Sequence, residues 1–318
     1  MIIAVDLLPR IQYSYNINSL IPYGKMEAET MEARVISQAI HGAKTIRVLQ
    51  GEVVFTGILG GFVGKYAKHY MDIKKIKSDI IWAEMQTPHE IKMFDQETNQ
   101  ETAVQKDLKL LDERILWKAE QKIKLAIKPT TTLLLEGRIL NGLCPQTYSR
   151  LIEEGKRYSA KTVITTNEPE VLSTLLGQVP YGLVFTMDQL DALGIDTDHI
   201  KSIVQRLREY IEMGVHYIGV DLKNQGGLVL SRNKFCYVEP TVDVASSWTD
   251  KSSAAFLGAF TLGIDRRYEQ ERIAKLAVAT ALAFQKSKEN EPYNKSAVDK
   301  LLKKVRVREL SKTPEKVR

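Results

Sequence analysis

The sequence predicts a doubly wound α/β fold: a mostly parallel sheet flanked by helices, with a small β-sheet lid built from two insertions. Three observations carry this. Short apolar, β-branched runs alternate with longer amphipathic segments along the chain, as strands and helices do in parallel-sheet proteins. Several of the runs lack polar positions, as strands buried on both faces do. Two stretches of polar and apolar alternation interrupt the rhythm and read as exposed hairpins.

In chain order the strand runs are MIIAV, RVLQGEVVFTGIL, TTTLLLEG, KTVITT, YGLVFT and HYIGVDL. The helical patterns between and after them are FVGKYAKHYMDIKKI, DLKLLDERILWKAEQKIKLAI, CPQTYSRLIEEGKRYS, DHIKSIVQRLREYIEMG and QERIAKLAVATALAFQKS. The interrupting stretches are residues 11–35, with a Pro-Tyr-Gly turn, and 80–104, turning at Asp95–Asn99. The expected division is a large α/β domain over 1–10, 36–79 and 105–298, a lid over 11–35 and 80–104, and a basic C-terminal segment over 299–318. The lid segments carry Tyr13, Tyr15, Ile17, Ile80, Trp82, Ile91 and Met93 on alternating strands. An uncovered apolar face with open edges invites a second copy, so a homodimer through the lid is expected.

Composition narrows the function classes. The net charge of +6 is concentrated in the tail: residues 299–318 hold eight Lys or Arg against three acids. Without interleaved aromatics this reads as a solvated helix end, and no nucleic-acid partner is expected. No stretch approaches the roughly 20 apolar residues of a membrane span, and Asp6 in the opening strand argues against a signal peptide. Two cysteines, Cys144 and Cys236, lie far apart, which fits a reducing cytoplasm. The histidines show no zinc-ligand spacing, no phosphate-loop motif is present, and no metal ligand is assigned.

Several strings, in order, resemble the phosphofructokinase-B (ribokinase-type) family, in the branch that phosphorylates fructose 1-phosphate and tagatose 6-phosphate. MIIAVDLLPRI is similar to its opening strand, GILGGFVG to G-x-L-G-G-x-x-G, and LEGRILNG to L-S-G-S-L-P-x-G. MGVHYIGVDLKNQGGLVL is similar to the nucleotide-side strand pair, and SAVDKLLKKVRVREL to the closing helix and strand. The resemblance implies a ribokinase-like fold whose sites lie at the carboxyl ends of the large sheet, with a lid that excludes water during phosphoryl transfer.

It also implies the site residues. Ser247, Trp248, Thr249 and Asp250 match the family's G-A-G-D turn, where backbone N–H groups at a helix N-terminus hold the moving phosphate. Asp250 then stands at the catalytic base, with Ser247 and Thr249 beside the phosphates. The glycines are absent, and Trp248 cannot supply cheap positive φ or close backbone approach. On the acceptor side, Gln12 stands where the family grips sugar hydroxyls with Asp, and His41 where it has Asn. Ala28 and Pro88 stand where two arginines would clamp the substrate's phosphate, and neither can do so. The K-P-N-x-x-E motif is matched by Phe185–Leu190, and Gly226 survives from the nucleotide turn. The erosion favours a pseudokinase, a scaffold kept for ligand sensing, partner binding or assembly. The alternative is an active, diverged kinase of a hexose phosphate such as tagatose 6-phosphate or fructose 1-phosphate. Only the active reading requires ATP and Mg²⁺.

Overall fold

Wholly buried, and apolar on both sides as far as Val5, β1 (Ile2–Asp6) lies within a ten-stranded sheet. The computed structural model describes residues 1–105, 111–139, 143–175, 177–244, 248–287 and 293–310. From β1 the chain leaves for β2 (Arg10–Ile17) and β3 (Ala28–Ile36), then returns through α1 (Gln38–Val48) to β4 (Val53–Leu59). It continues through α2 (Gly61–Ile73) to β5 (Lys77–Trp82), and a second excursion forms β6 (His89–Asp95) and β7 (Gln100–Gln105). Next come α3 (Glu113–Ala126), β8 (Thr132–Gly137), α4 (Pro145–Arg157), β9 (Lys161–Thr166), α5 (Pro169–Leu175) and β10 (Gly182–Thr186). Then follow α6 (Met187–Ala192), α7 (Ile200–Glu212) and β11 (Tyr217–Asp221). The hairpin β12 (Gly227–Ser231) and β13 (Phe235–Pro240) precedes α8 (Asp250–Asp265), α9 (Gln270–Gln285), α10 (Lys295–Leu302) and β14 (Val305–Glu309).

The large sheet has the order β14-β13-β12-β11-β10-β9-β8-β1-β4-β5. From β5 to β11 all neighbours are parallel, and β12, β13 and β14 add an antiparallel edge. After β1 the chain builds outward through β4 and β5, then restarts on the other side of β1 with β8. The strand order therefore reverses between β1 and β8, and open α/β sheets bind ligands outside the carboxyl ends at such a point. Side-chain alternation fills both faces. Ile2, Ala4, Phe55 and Leu134 pack with α1, α8 and α9, and Ile3, Val5, Leu133 and Leu135 pack with α3, α4 and α7.

The excursions form a separate four-stranded sheet, β3-β2-β6-β7, in which β2 and β6 are parallel and distant in sequence. Its register puts Tyr13, Tyr15, Met31, Ile91, Met93 and Val104 on one face and Gln12, Arg34, Glu32, Glu90 and Lys92 on the other. Ile80 and Trp82 are not on this sheet. They lie on β5, which pairs with β4 as far as Trp82 and forms the edge of the large sheet. Of the basic segment, α10 and β14 are ordinary elements, and 311–318 lie outside the described residues.

One expected strand is shorter than its apolar run. RVLQGEVVFTGIL begins in a helix: Arg47 and Val48 end α1, and β4 starts at Val53. Ser37 starts that helix by accepting the Ile40 N–H at 3.2 Å, a side-chain N-cap. Ala39, Ile40, Ala43 and Ile46 recur at helical spacing and are buried.

α1 crosses α8 at backbone contact. A Cβ on Gly258 would lie 2.5 Å from the Gly42 carbonyl oxygen, and it has no flexible side chain to displace. Helix propensity favours Ala over Gly by about 1 kcal/mol, whereas overpacking costs about 1–3 kcal/mol. Because the obstacle is backbone, the second effect wins. Gly258→Ala is expected to lower unfolding free energy in urea titrations by about 1–2 kcal/mol.

Candidate active site

At the point of strand reversal, Asp6 ends β1 and pairs in register with Glu136 near the end of β8. Both are almost wholly buried, at 1% and 4% exposure, which for carboxylates demands partners. Glu136 has several. Its Oε2 accepts the Ser37 hydroxyl and the Ala39 N–H, each at 3.0 Å. Its Oε1 accepts Arg138 Nε–H at 2.8 Å and bonds Nη2 of the same guanidinium. The acid thus sits on the N-terminus of α1, where exposed N–H groups and the helix dipole favour negative charge. The Tyr148 hydroxyl fixes the chain at Arg138 by donating to its carbonyl and accepting its N–H, both at 2.9 Å.

Asp6 is less well served. Its Oδ1 accepts the Leu8 N–H at 3.1 Å, but Oδ2 is buried with no hydrogen-bond partner among the described residues. Burial first, and then the Glu136 charge, push its pKa up to about 8. For Glu136 burial acts in the same direction, but Arg138, the Ala39 N–H and the Ser37 hydroxyl outweigh it and hold the group below the usual carboxylate range. Arg10, at the root of lid strand β2, joins this cluster. Its pKa is lowered by burial first and then by Arg138, and its Nε is buried without a partner, as is Arg138 Nη1.

The N-terminus of α8 lies on the same side. Thr249 is its N-cap, in extended backbone at φ −126°, and its hydroxyl accepts the Ser252 N–H at 3.3 Å. Asp250 is the first helical residue and is exposed; Ser247 lies outside the described residues. The sequence suggests that losing glycine here disturbs the turn; Thr249, at one of the two glycine positions, is in extended backbone and needs no left-handed φ, and the other, Ser247, lies outside the described residues. Trp248 turns its indole onto β11, where Nε1–H donates to Asp221 Oδ2 at 2.9 Å. Burial pushes Asp221 up to about 6 against that bond and the one from Ser253.

The other positions singled out in the sequence are placed as follows. Gln12 donates Nε2–H to Glu90 Oε1 at 2.8 Å on the polar face of the lid. Lys251, next to Asp250, contributes to the depressed pKa of lid residue Glu32, after the larger effects of Arg34 and burial. His41 is buried on α1; Nε2–H donates to the Val35 carbonyl at 2.8 Å, and Nδ1 accepts from the Tyr70 hydroxyl at 3.4 Å. Both ring nitrogens therefore have partners inside the fold, and burial lowers its pKa to about 4. Gly226 follows the turn after β11 at φ +105°, and a Cβ there would meet the Val238 carbonyl at 2.0 Å. In the Phe185–Leu190 stretch, Thr186 and Gln189 form a capping box that starts α6, and Asp188 pairs with Lys223 at 2.6 Å. Ala28 begins β3 and Pro88 precedes β6, and Gly142 lies outside the described residues. No cluster of three metal-ligating side chains occurs among the described residues.

The buried charge cluster is absent from the motif reading. Its signal is an acid ending an otherwise apolar strand, at Glu136 in TLLLEG and at Asp6 in IIAVD. A charge that ends a fully buried strand is costly, and so points to a built site.

The chain matches no known family profile. It is 20% identical over 320 residues to tagatose-6-phosphate kinase of Staphylococcus epidermidis, covering 98% of this chain and 100% of that protein. To 1-phosphofructokinase of Borreliella burgdorferi it is 21% identical over 292 residues, 89% and 91% of the two chains. Its fold matches phosphofructokinase-2 of Escherichia coli in complex with fructose-6-phosphate, with TM-score 0.80 and 17% identity over 95% of this chain and 98% of that one. The tetrameric inhibited form of that enzyme superposes with TM-score 0.81 and 17% identity over the same shares. No helix among the described residues is long and apolar enough to cross a membrane.

Trp248 reports on Asp221. Because burial raises the folded-state pKa of this acid, its contribution favours the fold at low pH and is lost as pH rises from 3.8 through about 6. With Trp82 and Trp117 replaced by Phe, Trp248 is the sole tryptophan. Its emission is expected to titrate with a midpoint near 6, and Asp221→Asn to abolish the transition and flatten the stability decline over that range.

Proposed function

We propose that this chain, a distant full-length homologue of the phosphofructokinase-B sugar-phosphate kinases, phosphorylates a hydroxyl of a hexose phosphate such as tagatose 6-phosphate or fructose 1-phosphate, using ATP. The observation that supports the reading is that α8, which Asp250 begins, crosses α1, whose N-terminus holds the buried Glu136 beside Asp6. Lys251, next to Asp250, and Glu136 both bear on the titration of His41, after burial and the Val35 bond. Full-length alignment with a tagatose-6-phosphate kinase and a 1-phosphofructokinase supports the same reading.

In this reading Asp250 accepts the proton of the attacking hydroxyl, and the first N–H groups of α8 stabilise the transferred phosphoryl group. Thr249 holds that helix end in place, Gly226 shapes the nucleotide-side turn, and Gln12 on the lid covers the acceptor. His41 supports α1 from within. Mg²⁺ would neutralise charge on the nucleotide's phosphates. The two carboxylates on that side, Asp188 and Asp221, are engaged by Lys223 and Trp248. They fit a metal that arrives with the nucleotide better than a resident one.

Those same two contacts favour a second reading, a pseudokinase that binds ligand without transfer, because they tie up polar groups where a nucleotide would need them. Assays with ATP, Mg²⁺ and each hexose phosphate separate the two. Turnover on the order of 1 s⁻¹ is expected. Asp250→Asn should reduce kcat by about 10²–10⁴ with little change in KM, and its exposure means the thermal midpoint should hold. A parent protein without turnover on either sugar phosphate would leave the second reading standing.

The lid also bears on assembly. Met31 and Val104, each 55% exposed, extend the apolar face that begins at Tyr13 and Tyr15. We read this face as the seat of a twofold dimer. Light scattering at micromolar concentration is expected to give twice 36.0 kDa. Met31→Asp with Val104→Asp should halve that mass and leave the circular dichroism unchanged; a monomeric parent would refute the dimer.

A further inference from the structure

The cluster at the strand reversal holds more unused donors than a finished core tolerates. Arg10 Nε and Arg138 Nη1 are both buried N–H groups with no acceptor among the described residues, and Asp6 Oδ2 is buried without a partner beside them. Native proteins pair nearly all such groups, and each exception calls for water, a ligand or a functional cause. The charges also bear on one another. Two guanidinium groups lie within each other's field; Glu136 opposes both, Glu90 opposes Arg10 from the lid, and Asp6 is driven toward its neutral form. In that neutral form Asp6 Oδ2 becomes a third donor. The lid offers no arginine at the two positions, Ala28 and Pro88, where the resemblance would place a phosphate clamp.

We propose that Arg10, Arg138 and Asp6 form a cradle for one oxyanion, a phosphate or carboxylate carried by a polyhydroxylated acceptor. The acceptor's charged end then lies at the floor of the sheet, under the root of the lid, and its hydroxyls extend toward α8. Arginine suits this role because its planar donors match an oxyanion and remain charged at every working pH. Arg10 is placed to sense occupancy: it starts β2, opposite Ile36 and one residue from the Ser37 cap of α1. An anion between the two arginines would relieve their repulsion and satisfy both orphaned donors at once.

The identity of the reacting acceptor rests on the kinase reading, but the cradle is tested without nucleotide, so either can fail alone. The probes are inorganic phosphate, gluconate and uncharged fructose, each at millimolar concentration and matched in ionic strength with chloride. Phosphate or gluconate is expected to raise the thermal midpoint, and fructose is not. A response to phosphate alone assigns the anion to a phosphate ester, and a response to gluconate alone assigns it to a sugar acid. Calorimetry on Arg10→Gln should show at least tenfold weaker anion binding. In anion-free buffer this variant should be no less stable than the parent, since it removes one of two like charges; a merely structural arginine would lower the midpoint in both buffers. Arg138→Gln strips Glu136 of its partner and can fail to fold, so Arg10→Gln carries the decision. Unchanged midpoints with both anions, or undiminished binding in Arg10→Gln, would overturn the cradle.

Discussion

What Glu136 binds determines how three elements meet. Its carboxylate takes a hydroxyl from Ser37, an N–H from the first turn of α1 and the guanidinium of Arg138. Strand β8, helix α1 and the segment after β8 are therefore joined through one buried charge. Burying an ion pair gains little against an apolar alternative, but removing one partner from an existing pair costs about 3–5 kcal/mol. The arrangement is thus better read as a device for position than for stability. Its reach is long. α1 crosses α8 at Gly42 and Gly258 with backbone on backbone, so the placement of Asp250 depends on a helix that Glu136 holds by its end.

The turn into α8 illustrates how a substitution can look more damaging in sequence than in space. Glycine is required where φ is positive or where a Cβ has no room, and Gly226 meets both conditions. Thr249, which enters α8, is in extended backbone and caps the helix with its side chain. Trp248 brings an indole that needs an acceptor and finds it in Asp221.

The large sheet was legible because its strands are apolar on both faces, and the lid because Tyr13, Tyr15, Ile91 and Met93 alternate strictly. α1 was not legible: eleven residues give too few helical turns to outweigh the β-branched run that follows, and its start signal is a single Ser37. Ile80 and Trp82 read as lid residues because an edge strand exposes one side and so alternates like a hairpin. For the candidate site, position along the motifs points to Asp250 and Thr249. The cluster of Asp6, Arg10, Glu136 and Arg138 was invisible to that approach, because its members are brought together only by the register of β1 against β8. His41 shows the converse: it fits a motif position by sequence and has both nitrogens engaged in the interior.

The parallel pairing of β2 with β6 has a consequence for the order of folding. Gln12 and Glu90 are 78 residues apart, yet they face one another across adjacent strands. Closing so long a loop is entropically unfavourable until the intervening segments are ordered. Those segments include β4 and β5, two strands of the large sheet. β2 and β3 can pair locally as a hairpin, but β6 has nowhere to dock until β4 and β5 have brought the chain back. The four-stranded lid is therefore a late structure, assembled on a sheet that already exists, and an unfinished molecule would show a competent floor before it had a cover.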